Sequence, residues 1–266
     1  MTSSIIQALI LDMDGVLWTG DAPIGDLPAI FTRLRANEIA FALATNNSLR
    51  TPSQYVSRLY DLGVAVEPSR VITSSLAVAN ILAKSVPAGS EVFVIGETGL
   101  IDALKQEQLI PIADPEYDGI PRAVVVGVDR GISFPKLRRA TLLIRSGVPF
   151  YATNPDKTFP TPEGLIPGTG SLLAALVAAT DVNPVIAGKP STIMIDLAVE
   201  RLGTPKQTTL MVGDRLETDI AGGQAAGLPV ALVLSGVSTR RQGRAWRPEI
   251  DFFADSLTAL IDFLYN

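Results

Sequence analysis

The sequence predicts an α/β fold in which a second, smaller α/β unit is inserted into a mostly parallel sheet. Short apolar runs alternate with amphipathic stretches along most of the 266 residues, which is typical of repeated β-α units. Hydrophobic residues make up 47% of the chain, which is enough for a sizeable core. Several apolar runs end in acidic, amide or cationic residues, and parallel strands share one carboxyl edge. We therefore expect a polar site along that edge.

The composition excludes several kinds of active site. The chain contains neither cysteine nor histidine. Their absence rules out disulfides, thiolate or imidazole metal sites, a cysteine nucleophile and a Ser-His-Asp hydrolase. Proton transfer near neutral pH must therefore use carboxylates, Lys or Tyr.

Charge and hydropathy predict a cytoplasmic protein with a small-molecule partner. The formal net charge of −5 argues against binding to a nucleic-acid polymer. No apolar run approaches the roughly 18 residues of a membrane helix. The first residues lack the positive segment of a secretory signal. We therefore expect a chain that binds neither membranes nor nucleic acid.

The first buried strand, predicted over residues 8–11, leads into two carboxylates one residue apart. Asp12 and Asp14 are followed by Gly15, which can turn the chain. Two buried acids side by side are unfavourable unless a cation neutralises them, and oxygen ligands at a strand end suit Mg²⁺. The alternative is a strand that ends in a polar Asx-type turn.

A second strand, predicted over residues 39–44 after a helix over 28–36, ends in the segment Thr45-Asn46-Asn47-Ser48. The next helix is predicted to begin with Thr51 as its N-cap. Strand ends and helix N-termini are where open α/β sheets bind anionic ligands. A plain loop whose polar side chains satisfy the backbone is the alternative.

The next hundred or so residues are predicted to form the second α/β unit. A short strand over 71–73 and a helix over 75–84 precede a Pro- and Gly-containing hinge at 86–90. The loop over 154–170 is too long for a simple connection, and long ordered loops often carry function. The elements expected in this unit are strands over 91–95, 123–128 and 148–152 and helices over 100–108, 134–146 and 171–179.

Two further strand ends carry charged residues. A strand over 184–187 ends at Gly188 and Lys189, and one over 209–212 ends in Gly213-Asp214, with Asp219 five residues on. A Lys at a strand end can simply be a surface charge. Together with the acid pair and the Thr-Asn segment, however, these residues predict one site along a common edge of the sheet.

The last part of the chain is predicted to add a strand over 229–234, a Gly- and Ser-containing loop and an amphipathic helix from about residue 256. The loop carries a small basic cluster. We interpret it as a solvated loop face, because four charges in an acidic protein are a weak indication of nucleic-acid binding. The cluster consists of Arg240, Arg241, Arg244 and Arg247.

The polar strand ends resemble, in order, the four motifs of the haloacid dehalogenase superfamily. About thirty residues separate the first two motifs and about 140 separate the second and third. This spacing resembles the subfamily with a large α/β cap, which includes nitrophenyl phosphatases, NagD-type nucleotide phosphatases and pyridoxal phosphate phosphatases. The matching segments are Asp12-Met13-Asp14-Gly15-Val16, Thr45-Asn46-Asn47-Ser48, Gly188-Lys189-Pro190 and Gly213-Asp214 with Asp219.

The resemblance implies a Rossmann-like catalytic core and an inserted cap. The core is expected over residues 1–81 and 184–266, and the smaller α/β cap domain over 82–183. The implied activity is Mg²⁺-dependent hydrolysis of small phosphate monoesters through an aspartyl-phosphate. A homodimer formed through the cap is also possible in this subfamily.

The resemblance also assigns roles to single residues. Asp12 is the expected nucleophile and Asp14 the general acid–base. Mg²⁺ is expected on the carboxylates of Asp12 and Asp214 and the main-chain carbonyl of Asp14. The expected phosphate-binding residues are Thr45, Asn46 and Lys189. Asp219 is expected to orient Lys189 or a metal-bound water, and the candidates near the substrate are Asn47, Arg215 and Tyr151.

Other activities remain open at this stage. A phosphomutase or phosphotransferase uses the same intermediate, a signalling receiver also groups acids with Thr and Lys, and a phosphate-ligand binder can keep the fold without turnover. The substrate is open as well. Nucleoside monophosphates, pyridoxal phosphate, glycolate or glycerol phosphates, sugar phosphates and 4-nitrophenyl phosphate all fit the resemblance.

Overall fold

The computed structural model describes residues 6–161 and 163–265. The chain forms two compact units. The first contains the residues up to Thr45, Pro52–Ile72 and the residues from Lys189 onward, and the second contains Asn46–Thr51 and Thr73–Gly188. Both have the α/β architecture that the sequence predicts.

The strands are short, and most consist of a buried apolar run. In chain order they are β1 Ala8–Leu11, β2 Trp18–Thr19, β3 Ala22–Pro23, β4 Ala40–Thr45, β5 Val71–Thr73, β6 Glu91–Ile95, β7 Ile110–Ile112, β8 Ala123–Val126, β9 Phe150–Ala152, β10 Thr158–Thr161, β11 Gly164–Pro167, β12 Val185–Ile186, β13 Thr209–Gly213, β14 Val230–Val233 and β15 Phe252–Ala254.

Helices follow most of these strands, and several begin at a side-chain cap such as Asp26, Ser191 or Ser256. The α-helices are α1 Leu27–Ala36, α2 Pro52–Asp61, α3 Ser74–Ser85, α4 Thr98–Gln106, α5 Phe134–Arg145, α6 Thr169–Thr180, α7 Thr192–Leu202, α8 Ala221–Ala225, α9 Arg240–Ala245 and α10 Leu257–Leu264. Short 3₁₀ helices cover Pro68–Arg70 and Lys206–Thr208, and a π-helical turn covers Leu216–Ile220.

The first unit is built on a sheet whose strand order is β15-β14-β13-β1-β4-β5. Strand β1 lies inside it and pairs in parallel with β13 on one side and β4 on the other. All four residues of β1 are buried, as expected for a strand covered by helices on both faces. The carboxyl ends of β1, β4 and β13 therefore lie at one edge of this sheet.

The second unit has its own parallel sheet, in the order β12-β9-β8-β6-β7. The expectation that the strand before Lys189 shares a sheet edge with β1, β4 and β13 is therefore wrong, because that strand is β12 and pairs with β9. Its core contains Phe93 and Val124 from the strands and Leu143 and Leu176 from α5 and α6. Among the described residues of the whole chain, no helix is both long and apolar enough to cross a membrane.

The structure differs from the sequence expectations in two loops. Within the predicted loop over 154–170, β10 and β11 form an antiparallel hairpin, with Gly164 at φ +130° beside the turn. The region that we interpreted as a solvated arginine loop contains α9, which begins at a capping box between Thr239 and Gln242. In both segments, local hydrogen bonds stabilise regular structure, although the composition, rich in Pro and Gly in one and polar in the other, indicates a loop.

The edge strands β7 and β15 are also absent from the sequence prediction. β7 contains Pro111, which lacks a backbone N–H and normally counts against a strand. Since β7 lies at the edge of its sheet, it needs hydrogen bonds on one side only.

Candidate active site

The carboxyl end of β1 carries a buried ion pair. Asp12 follows β1 directly and is 8% exposed, and the ammonium of Lys189 lies 2.5 Å from its Oδ1. Lys189 is 2% exposed and also donates to the backbone carbonyl of Ala44 in β4 at 3.0 Å. A buried charge is tolerated only where opposite charges and acceptors surround it. Lys189 is therefore held at the ends of β1 and β4.

Asp219 is the second carboxylate that contacts this ammonium. Its Oδ1 lies 2.6 Å from Lys189 Nζ, and its Oδ2 accepts the backbone N–H of Arg215 at 3.1 Å. Gly213 leaves room for this side chain, because a Cβ at Gly213 would lie 2.2 Å from the Cβ of Asp219. Asp219 thus contacts both Lys189 and the backbone that follows β13.

Asp214 follows β13, the neighbour of β1, and loops hold its carboxylate in place. Its Oδ2 accepts the backbone N–H of Val237 at 2.7 Å, and its backbone carbonyl accepts that of Ser238 at 3.0 Å. Gly15 and Gly236 approach so closely that a Cβ would lie 2.5 Å and 2.0 Å, respectively, from Oδ2. Only glycine fits at these two positions.

The acidic cluster fits a divalent cation. Oxygens of Asp12, Asp214 and Asp219 lie within 4.8 Å of one another. Oδ1 of Asp214 is buried and has no hydrogen-bond partner among the described residues, which is unfavourable for a carboxylate oxygen. Mg²⁺ prefers such oxygen ligands. Asp12 and Asp219 both contact Lys189 as well, so the buried Asp214 oxygen is the one in the cluster that most needs a cation.

Burial and mutual repulsion shift the pKa values in the cluster. Burial, with repulsion from Asp219 and Asp214, raises the pKa of Asp12 well above its ordinary value, although Lys189 acts in the opposite direction. Burial raises the pKa of Asp214 to about 6, and Asp219 contributes to the rise. Burial alone would lower the pKa of Lys189, but the charges of Asp12 and Asp219 outweigh it and raise that pKa. Lys189 therefore stays an ammonium, whereas the acids gain from a bound cation.

Asp14 and Thr45 lie at the same edge of the sheet. Asp14 is exposed, and its Oδ1 accepts the indole N–H of Trp18 at 2.9 Å. Thr45 is buried at the end of β4, which pairs with β1 up to Leu11 and Leu43. The Arg215 side chain is exposed.

The remaining predicted site residues belong to the second unit. Asn46 is half-buried and its Nδ2 donates to Asp156 Oδ2 at 3.1 Å. Asn47 Oδ1 accepts the backbone N–H of Leu49 at 2.9 Å, which closes an Asx-type turn. Tyr151 lies in β9 and is half-buried.

Three features of the site were missed in the sequence. They are the indole of Trp18, Gly236 and the backbone N–H of Val237, which all contact the acidic residues. A signal for the last two was present, because Gly236 and Val237 follow the predicted strand over 229–234. That strand is β14, which pairs in parallel with β13, so its carboxyl end lies at the same edge. For Trp18, the sequence shows only an apolar residue four positions after Asp14.

Comparisons with known proteins match family models to the first and last parts of the chain. A family model described as haloacid dehalogenase-like hydrolase matches residues 9–110, and one described as HAD-hydrolase-like matches residues 186–260. A dihydroxyacetone phosphatase of Corynebacterium glutamicum is 36% identical over 254 residues, covering 95% of this chain and 90% of that protein. A 5′-nucleotidase of Bacillus subtilis is 36% identical over 258 residues, covering 97% and 98%.

Solved structures match over nearly the whole chain. A p-nitrophenyl phosphatase from Archaeoglobus fulgidus matches with a TM-score of 0.90 at 30% identity, covering 98% of this chain and 100% of that one. A glycerol phosphate phosphatase from Mycobacterium tuberculosis, solved in complex with magnesium, matches with a TM-score of 0.88 at 33% identity, covering 97% and 77%. The same phosphatase has also been solved with calcium.

Proposed function

The chain belongs to the haloacid dehalogenase-like hydrolases, and we propose that Asp12 is the nucleophile of a Mg²⁺-dependent enzyme. The chain is a phosphoric monoester hydrolase, as its named relatives are. The observation that carries the proposal is the buried pair of Asp12 and Lys189 beside the Asp214 oxygen that lacks a hydrogen bond.

In the first step, a carboxylate oxygen of Asp12 attacks phosphorus while the bond to the leaving oxygen breaks. Asp14 donates a proton to that oxygen, so that the alcohol leaves neutral. In the second step, Asp14 takes a proton from a water molecule that attacks the phosphorus of the aspartyl-phosphate. The second attack releases inorganic phosphate and restores the Asp12 carboxylate.

Charge neutralisation accounts for the remaining residues. Phosphoryl transfer needs mainly alignment and stabilisation of the phosphate oxygens. The fixed ammonium of Lys189 serves this purpose, and we assign the Thr45 hydroxyl and the Asn46 amide to the same role. Mg²⁺ would be held by the carboxylates of Asp12 and Asp214 and the main-chain carbonyl of Asp14. It would add its positive charge to that of the Lys189 ammonium.

The substrate class follows from the relatives. Their names include dihydroxyacetone phosphatase, 5′-nucleotidase, acid sugar phosphatase and glycerol phosphate phosphatase. We propose small phosphate monoesters of alcohols for this chain. We also propose that residues 82–183 act as a cap and that the chain forms a homodimer through this cap. The residues that we propose to contact the substrate are Asn47, Arg215 and Tyr151.

Phosphate release from 4-nitrophenyl phosphate and glycerol phosphate, with Mg²⁺ and with a chelator, tests the assignment. We expect turnover that needs the metal and that falls at least about a thousandfold in Asp12→Asn, because the amide is a poor nucleophile. Asp61→Asn, an exposed aspartate at the end of α2, is the matched control. Full turnover by Asp12→Asn would refute the proposal.

A further inference from the structure

The loop after β1 folds back so that Trp18 reaches the carboxylate of Asp14. The backbone N–H of Gly15 donates to the carbonyl of Trp18 at 2.7 Å, and that of Leu17 donates to Met13 at 2.8 Å. These backbone hydrogen bonds close the loop without the indole. The 2.9 Å hydrogen bond from Trp18 Nε1 to Asp14 Oδ1 is therefore an additional contact of the loop.

The indole itself is held on several sides. Trp18 is 0% exposed. Its ring is parallel to that of Tyr55, with 6.4 Å between centroids and 7° between planes, and the guanidinium carbon of Arg58 lies 4.1 Å from its centroid. Tyr55 and Arg58 are three residues apart on α2 and thus share a face of that helix. Packing therefore fixes the direction of the indole N–H.

Asp14, in contrast, is exposed and can adopt several rotamers. A donor that cannot move, bound to Oδ1, favours one of them and leaves the second oxygen available. We propose that Trp18 is a positioning residue that holds the Asp14 carboxylate in the orientation needed for proton transfer. This inference rests on the proposed function, because it takes Asp14 as the general acid–base.

A purely structural role is the competing explanation. A buried indole N–H normally needs an acceptor, and Asp14 could satisfy that need without any effect on catalysis. The two roles differ in their dependence on the leaving group. Positioning of the acid matters when the leaving oxygen needs a proton, and it matters little when the leaving group departs as a stable anion.

The first experiment compares Trp18→Phe with the unchanged enzyme on two substrates. We expect kcat/KM for glycerol phosphate to fall about tenfold, because a misplaced acid loses part of its effect. For 2,4-dinitrophenyl phosphate, whose leaving group needs no proton, we expect a change of less than about twofold in kcat/KM. Equal losses on both substrates, or no loss on either, would overturn the inference.

Trp246→Phe is the matched control. Trp246 Nε1 donates to Gln224 Oε1 at 3.0 Å, and Gln224 also donates to the carbonyl of Pro248, ahead of β15. The same substitution thus removes a comparable hydrogen bond at the amino end of a strand, away from the proposed site. We expect this variant to retain kcat/KM on both substrates.

A double-mutant cycle with Asp14→Asn separates the inference from the proposed function. If Trp18 acts through Asp14, then Trp18→Phe costs less than about twofold in the Asp14→Asn background. A tenfold loss in that background would contradict the positioning role of Trp18, while the assignment of Asp14 as the general acid–base would stand. Unchanged kcat/KM in Asp14→Asn alone would instead remove the proposed role of Asp14, and this inference with it.

If Trp18→Phe disturbs the core, a side chain with a ring of the same size as the indole keeps the test valid. Benzothienylalanine, introduced at position 18, replaces the indole N–H by sulfur and preserves packing on Tyr55 and Arg58. We expect it to unfold thermally like the unchanged protein and to show the same substrate-dependent loss. A full kcat/KM for glycerol phosphate with this residue would contradict the inference.

Discussion

At the scale of single residues, a buried ammonium is unfavourable unless anionic groups compensate for it. Lys189 meets that condition through Asp12 and Asp219, at 2.5 Å and 2.6 Å. The two carboxylates keep the lysine charged and hold it in one place. A rigid cation of this kind stabilises developing negative charge without having to reorganise.

Replacement of the ammonium should therefore affect both activity and folding. We expect Lys189→Met to lower kcat at least about a hundredfold and to lower the free energy of unfolding by about 3 kcal/mol, because it leaves buried carboxylates uncompensated. Steady-state kinetics and urea unfolding measure the two effects. Lys206→Met is the control, because Lys206 pairs with Asp196 on the surface. A stable, active Lys189→Met enzyme would contradict this account of the charge cluster.

The pKa of Asp214 predicts how stability depends on pH without metal. It is about 6 in the folded chain and about 3.9 in an unfolded one. The folded state binds more protons between these values, so the free energy of unfolding falls as pH rises from about 4 to above 6. The difference corresponds to about 3 kcal/mol, and Asp12 acts in the same direction.

Urea unfolding at pH 5 and pH 7.5 in a chelator measures this dependence. We expect the metal-free protein to be more stable at pH 5, Asp214→Asn to flatten the slope, and added Mg²⁺ to restore stability at pH 7.5. Asp61→Asn should leave the slope unchanged. A metal-free protein that gains stability between pH 5 and pH 7.5 would show that the carboxylates are not destabilised by burial.

At the scale of secondary-structure elements, the site depends on loops that follow neighbouring strands. The loop after β1 contributes Gly15, and the loop after β14 contributes Gly236. A Cβ on either glycine would lie within 2.5 Å of Asp214 Oδ2. Strands β13, β1 and β4 were predictable from their apolar runs, and their parallel pairing explains why Asp12 and Thr45 lie at the same edge of the sheet. The sequence places Gly15 and Gly236 after strands of this edge, but their close approach to Asp214 was not predictable, because it depends on the path of the loops.

A single methyl group at Gly236 should test that loop contact. The Cβ of Gly236→Ala would lie 2.0 Å from Asp214 Oδ2, so the carboxylate must move. We expect the Mg²⁺ concentration for half-maximal activity to rise about tenfold or more, since misplacement of one ligand weakens a metal site. Gly131→Ala, whose Cβ would meet Asp129 at an ordinary 3.4 Å, is the control. An unchanged Mg²⁺ dependence in Gly236→Ala would argue against Asp214 as a ligand.

At the scale of the whole molecule, the α/β class and the phosphatase activity could be predicted from the sequence, and both are confirmed. Asp12 and Lys189 are 177 positions apart and in contact. The strand-end rule does not explain this contact, because β12, the strand before Lys189, lies in the other unit's sheet. Elements whose residues contradict local propensity, such as β7 with its proline, could not be predicted. The hairpin of β10 and β11 was missed because Pro and Gly within it indicate a loop.

The central claim is a covalent phosphate on Asp12, and chemical trapping tests it most directly. The enzyme, or Asp14→Asn to slow the second step, is mixed with 2,4-dinitrophenyl phosphate and Mg²⁺, quenched in acid, and reduced with borohydride. Reduction converts an acyl-phosphate of aspartate into homoserine, which peptide mass spectrometry locates. We predict homoserine at position 12 and no such product in Asp12→Asn. Turnover with homoserine at another position, or at none, would contradict the account.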